Sequence, residues 1–144
     1  MFGTLPARFT VYPDLLEEAG YHVGYAGKGW GPGRFEPGGR TRNPAGPRYK
    51  DFKTFLDARP PGRPFYFWMG ILRRPSTDAE SDDKGRLREV EIPPFLPDND
   101  IVRRHFVEYF AKIEAYDQIV QSTLDVLHET GELDNTLIIY TCDN

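Results

Sequence analysis

The chain has 144 residues and a mass of 16.5 kDa, which suits one domain, and its 39% hydrophobic content is enough to support a core. Eighteen basic against twenty-two acidic side chains give a net charge of -4 and an isoelectric point near 5.4, a balance that argues against a nucleic-acid binder. No apolar run approaches the ~20 residues of a membrane span, and the single cysteine, Cys142, excludes a disulfide framework or a cysteine-rich zinc site.

The first residues lack the basic-then-apolar pattern of a secretory signal, which leaves the cellular location open. Residues 13–20 predict a short helix: Pro13 suits its first turn, acids follow, and Gly20 suits a left-handed stop. Residues 21–26 predict a strand. Between 27 and 50 glycine and proline crowd so densely that no regular element fits, and a loop of that length in a compact domain is commonly functional or disordered. Residues 51–58 allow two helical turns with Phe52, Phe55 and Leu56 on one side, and 64–70, apolar on both faces, predicts a buried strand.

A second long loop is expected over 71–97. Asp98, Asn99 or Asp100 then caps the strongest helix, whose apolar residues Val102, Phe106, Tyr109, Phe110, Ile113, Tyr116, Val120, Leu124 and Leu127 have the spacing of a buried stripe. Gly131 ends it, and 136–141 predicts a third strand, again apolar on both faces. Strand, helix, strand, helix, strand builds an α/β domain with a parallel sheet and right-handed crossovers. Ligands of such sheets gather beyond the carboxyl ends of the strands. That rule selects Lys28, the loop from Ile71 with Arg73 and Arg74, and Asp143 with Asn144.

Asp143 and Asn144 offer hard oxygen donors suited to Ca²⁺ or Mg²⁺, although two are too few for either ion, and Asp-Asn also reads as an ordinary turn. Lys28, flanked by Gly27 and Gly29, can approach an anionic ester and offset charge in its transition state; a solvated loop lysine is the plain alternative. Arg73-Arg74 reads either as an anion-binding pair or as a solvated one. His22, His105 and His128 have no second histidine at ligand spacing and read as structural. Asp117 follows Tyr116 inside the apolar stripe, where a buried carboxylate needs a partner. Cys142 reads as a small apolar residue at a strand end.

Residues 15–29, 27–33 with 42–46, 64–70, 90–98 with the helix through Asp117, and 133–144 together resemble the sulfatase family of the alkaline-phosphatase superfamily. Residues 15–29 (LLEEAGYHVGYAGKG) are similar to the family's helix, Ala-Gly-Tyr turn, strand and Gly-Lys loop. The stretch from Gly27 to Gly33, with Arg42-Asn43-Pro44-Ala45-Gly46, resembles the branch akin to heparan N-sulfatases. Residues 64–70 resemble the strand before the family's Pro-His-x-Pro loop, and 90–98 with the helix through Asp117 resemble its Pro-Pro-Phe-Leu-Pro-Asp segment and long helix. Residues 133–144 resemble the strand that ends in Thr-Ser-Asp-Asn-Gly.

The resemblance implies a three-layer alkaline-phosphatase-like α/β fold, here incomplete, with 1–144 as part of an N-terminal catalytic domain. It implies a metal-assisted sulfuric-ester or sulfamate hydrolase acting on a sulfated carbohydrate. Asp143 and Asn144 would ligate Ca²⁺, Lys28 would contact the sulfate, and Arg73 and Arg74 would bind substrate. Members are commonly periplasmic, secreted or lysosomal. The family's nucleophile is a formylglycine made within a Cys/Ser-x-Pro/Ala-x-Arg motif, which is absent from this sequence. The paired N-terminal aspartates are also absent, Trp30 stands where many members have histidine, and no Pro-His-x-Pro histidine follows Ile71. The expectation is an internal, truncated portion of a sulfatase, inactive by itself. A phosphodiesterase or phosphonate hydrolase of the same superfamily and a non-catalytic interaction fragment are the alternatives.

Overall fold

The computed structural model describes residues 3–71 and 83–141, which fall in two compact units, Met1–Arg73 and Arg74–Asn144. In the first unit, helix α1 (Tyr12–Glu18) leads into strand β1 (His22–Gly27), helix α2 (Phe52–Asp57) and strand β2 (Phe65–Gly70). Pro13 sits in the first turn of α1, and Gly20 takes the expected left-handed conformation (φ 90°) while Tyr21 N donates to Leu16 O. β1 and β2 pair in parallel from His22 opposite Phe65 to Gly27 opposite Gly70. The architecture is therefore mixed α/β, with a two-stranded parallel sheet.

Alternation along the strands sends Phe65 and Phe67 to one face. There they meet Phe52 and Phe55 of α2, with ring centroids 5.1 Å apart for Phe52–Phe67 and 4.6 Å for Phe55–Phe67. Phe55 is fully buried at 0% exposure. Asp51 begins α2 because its carboxylate accepts from Thr54 N at 2.7 Å, satisfying an amide the helix cannot. On the opposite face Tyr66 meets Tyr12 of α1, edge to face at 5.1 Å, and their hydroxyls hydrogen-bond. Burial, reinforced by that bond, pushes the Tyr66 phenol well above its ordinary range. A helix thus lies on each face of the sheet.

In the second unit, helix α3 (Asp83–Glu89) packs on helix α4 (Asp100–Glu129). Of the three candidate caps, Asn99 is the one used: its side-chain oxygen accepts from Ile101 N at 3.1 Å and Val102 N at 3.0 Å. Arg103 ties the two helices together, donating to the carbonyls of Leu87 and Val90, both at 2.8 Å, and through Nη2 and Nε to the Asp98 carboxylate.

Four expectations are corrected here. α3 occupies part of the span read as a loop over 71–97. The segment 136–141 is not a strand: a 3-10 turn (Leu133–Asn135) precedes it, and Leu137 to Tyr140 are exposed without sheet partners. A strand forms only where an edge is present to complete its hydrogen bonds, which propensity does not supply. The stripe of α4 is also less buried than its spacing implied: Leu127 is buried, Tyr109, Phe110 and Ile113 are exposed, and the helix's other buried residue, Val107, lies outside the stripe. Asp117 is exposed too, so it has no burial to offset.

Candidate functional site

β1 ends at Gly27, and Lys28 follows at its carboxyl end, the end of a parallel sheet near which ligands commonly gather. Two hydrogen bonds hold its backbone. Lys28 N donates to Gly70 O at 2.6 Å, and the Trp68 indole donates from Nε1 to Lys28 O at 2.8 Å. Gly70 is required at this junction, because a Cβ there would overlap the Lys28 carbonyl. The end of β2 therefore fixes the residue that leaves β1.

The loop beyond Lys28 is ordered by polar side chains rather than by regular structure. The Asn43 side-chain oxygen accepts from Trp30 N and Ala45 N, both at 2.9 Å, and its amide donates to Trp30 O at 3.2 Å. One short side chain thus closes the turn after Lys28 against the Asn43-Pro44-Ala45 segment. Tyr25 completes the tie, donating its amide to Pro47 O at 3.0 Å and accepting from Tyr49 N at 2.8 Å. Two arginines of the loop reach α1. Arg40, its side chain nearly buried, holds Asp14 through both terminal nitrogens, at 3.3 and 2.8 Å, and donates to Phe9 O at 2.6 Å. Arg42 forms a bidentate pair with Glu17.

These pairs set the electrostatics of the loop. The Arg40 hydrogen bond holds the Asp14 carboxyl below its ordinary pKa against the opposing effect of burial, and Arg42 does the same for Glu17. His22 lies stacked on Phe55 at 4.6 Å, and desolvation lowers its pKa. It is a packing residue, as read from the sequence, and His105 and His128 are exposed on α4.

Of the residues selected from the sequence, the structure places Lys28 at the carboxyl end of the sheet. Arg73, Arg74, Asp143, Asn144 and Cys142 lie outside the described residues. Among the described residues no group of three His, Cys, Asp or Glu could hold a metal ion, and no helix is long and apolar enough to cross a membrane. Arg40 and Arg42 were missed as organisers of the loop; their position in a Gly/Pro-rich stretch with acids in the preceding helix was the available signal.

No family model, curated protein or solved structure matches the chain.

Proposed function

We propose that this chain is part of a sulfuric-ester or sulfamate hydrolase acting on a sulfated carbohydrate, with Lys28 as the group that meets the anionic ester. The observation that carries the reading is the anchoring of Lys28: its amide and carbonyl are both bonded to the end of β2 at a sheet terminus where ligands of parallel sheets gather. A lysine whose backbone is fixed at that end can bring its ammonium to charge growing on sulfuryl oxygens as the S–O or S–N bond breaks. The presence of α1 and α2 on opposite faces of the sheet supports the finer reading of an incomplete three-layer, alkaline-phosphatase-like domain spanning 1–144.

Asp143 and Asn144 belong to this proposal as ligands of Ca²⁺ or Mg²⁺, and Arg73 and Arg74 as substrate contacts. Two oxygen donors fall short of the roughly six to eight that Ca²⁺ takes, so the chain alone should bind the ion weakly. Without the formylglycine motif the chain alone should not turn over substrate. A phosphodiesterase or phosphonate hydrolase of the same superfamily would use the same lysine on a phosphate ester. A non-catalytic interaction role is favoured by one observation, the uncovered apolar residues of α4.

The test is titration of the chain with a sulfated disaccharide, its unsulfated form and a phosphate monoester, followed by the Trp68 indole NMR signal. Sulfate-dependent movement of that signal, lost in Lys28→Met, is expected. Equal response to the unsulfated sugar, or none to any ligand, would overturn the assignment, and preference for phosphate would favour the phosphoesterase. Sequencing the DNA upstream of the Met1 codon adds a second readout: an in-frame Cys/Ser-x-Pro/Ala-x-Arg run supports the sulfatase.

A further inference from the structure

Helix α2 and a strap made of Pro47, Arg48 and Tyr49 meet β1 around one imidazole. His22 and Gly24 alternate onto the same face of the strand. The half-buried His22 ring stacks on Phe55 of α2 at 4.6 Å and meets the Tyr49 ring edge to face at 5.9 Å, with the Tyr49 hydroxyl 3.4 Å from Nε2. The same two rings press on Gly24, where a Cβ would stand 2.6 Å from Tyr49 and 2.8 Å from Phe55. Neither ring has room to move toward the strand. Backbone ties the strap down as well, through Tyr25 N to Pro47 O and Tyr49 N to Tyr25 O.

A charged imidazole is poorly served in this setting. Desolvation is the largest effect on the ring, and Arg63 and Arg59, from the connection between α2 and β2, add repulsion. Arg63 is fixed there by its bond to Gly20 O at 2.6 Å, and the Arg59 guanidinium lies over the Phe65 ring. A hydrogen bond to the Phe55 backbone and the Glu17 carboxylate of α1 act the other way, but Glu17 is already paired with Arg42. Lys53 and Asp57 of α2 pair with each other, and Arg48 and Lys50 of the strap are exposed. Burial and the arginines win, so the His22 pKa lies below its ordinary value. Protonation therefore favours an arrangement in which the ring reaches water. With the strand side closed, the rings must part outward.

We propose that His22 is an acid-sensitive latch: neutral, it keeps α2 and the 47–49 strap closed on β1, and protonated, it releases them. The latch lies wholly within the first unit and does not rest on the hydrolase reading. Opening takes up a proton that the closed unit disfavours. Closure is accordingly strongest above the ordinary histidine value of 6.5 and weakens as pH falls from there to the lowered value of the closed unit. The Asp14 and Glu17 pairs weaken only below their ordinary values of 3.8 and 4.5, so the onset of loss separates the two effects.

An NMR titration of the full chain from about pH 8 to about pH 5, across the histidine range, tests the latch. It follows the His22 ring signals and the hydrogen-exchange protection factors of the Tyr25 and Tyr49 amides. His22 should titrate below 6.5, and both protection factors should fall with it, by up to about tenfold per pH unit for a single proton. His22→Phe keeps an aromatic ring without a titrating group and should hold both factors constant over the range. Arg59→Gln removes a repelling charge and should move the His22 midpoint and the loss of protection to higher pH together, a readout that stands if His22→Phe does not fold. A midpoint at or above 6.5, amides that stay protected while His22 titrates, or the same loss of protection in His22→Phe would overturn the proposal.

Discussion

The first unit gathers its apolar groups from both strands, a helix and a loop, whereas the second has one long helix with a short one laid along part of it. Phe55 shows what the first arrangement achieves: His22, Tyr49, Phe52, Phe65 and Phe67 all have rings within about 6 Å of its own, the reach of an aromatic contact. In the second unit Tyr109, Phe110 and Ile113 stand exposed, Phe106 and Tyr116 are half-buried, and the buried side chains among the described residues are the smaller Val90, Val107 and Leu127. Spacing of apolar residues along a helix gives it a face; closure of a core needs other segments to arrive on that face. The first unit has them within its own length.

The largest expected effect breaks the first unit alone. Phe55→Ala removes the ring at the centre of the cluster, which costs about 3–5 kcal/mol, a large part of what holds a small domain folded. Near-ultraviolet circular dichroism should lose its aromatic signal while hydrogen exchange still protects α4. Simultaneous loss of both would show that the units fold as one block.

Gly70→Ala comes next. The added methyl would overlap the Lys28 carbonyl, so backbone must move, at about 1–3 kcal/mol for an overpacked site. The Trp68 indole NMR signal, which reports its bond to Lys28 O, should shift, and an unshifted signal would show that the junction tolerates a side chain.

In the second unit, Arg103→Met removes the donors to Leu87 O and Val90 O. Hydrogen exchange of α3 should accelerate while α4 keeps its protection; unchanged α3 would mean that apolar contact alone retains it.

The smallest effect separates the units by pH and salt. Asp14 and Glu17 have folded pKa values below their unfolded ones, so their pairs with Arg40 and Arg42 add stability above the ordinary carboxylate pKa. That stability is lost as pH falls through the lowered folded values. Asp98, held low by Arg103, follows the same sign but is exposed. Thermal melts from neutral to acid pH should show the loss in the first unit, with Asp14→Asn flattening the slope. Added salt should weaken the Asp98 contribution more than the half-buried pairs. Equal salt sensitivity would remove the distinction.

The elements most legible in the sequence are those whose signals are local. Pro13 and Gly20 bracket α1, Asp51 begins α2, Asn99 caps α4, and the double-faced apolar run at 65–70 becomes β2, although half-buried with Trp68 exposed rather than buried as expected. α3 was hidden because Gly85 and a high density of charge imitate a loop. The segment 136–141 misled in the opposite direction: Leu-Ile-Ile-Tyr has strand propensity, but pairing depends on an edge elsewhere in the chain. The position of Lys28 was legible, a glycine-flanked cation just after a strand. The clamp by Gly70 and Trp68, and the bracing by Asn43, Arg40 and Arg42, join residues up to 42 positions apart, and no local pattern announces them.

The parallel register of β1 and β2 has a consequence for how the chain acquires its structure. His22 meets Phe65 across 43 positions of intervening chain, and every further rung of the ladder spans the same separation. Each contact of the sheet must therefore wait for closure of a long loop, an entropic barrier that α4, built from partners four residues apart, never faces. Helix formation in the second unit should be complete on a microsecond scale, while the sheet assembles later and more slowly. During that interval β1 and β2 expose unpaired backbone and the aromatic rings of 65–68, making the nascent first unit the stage at which a chaperone or a second chain is most readily engaged.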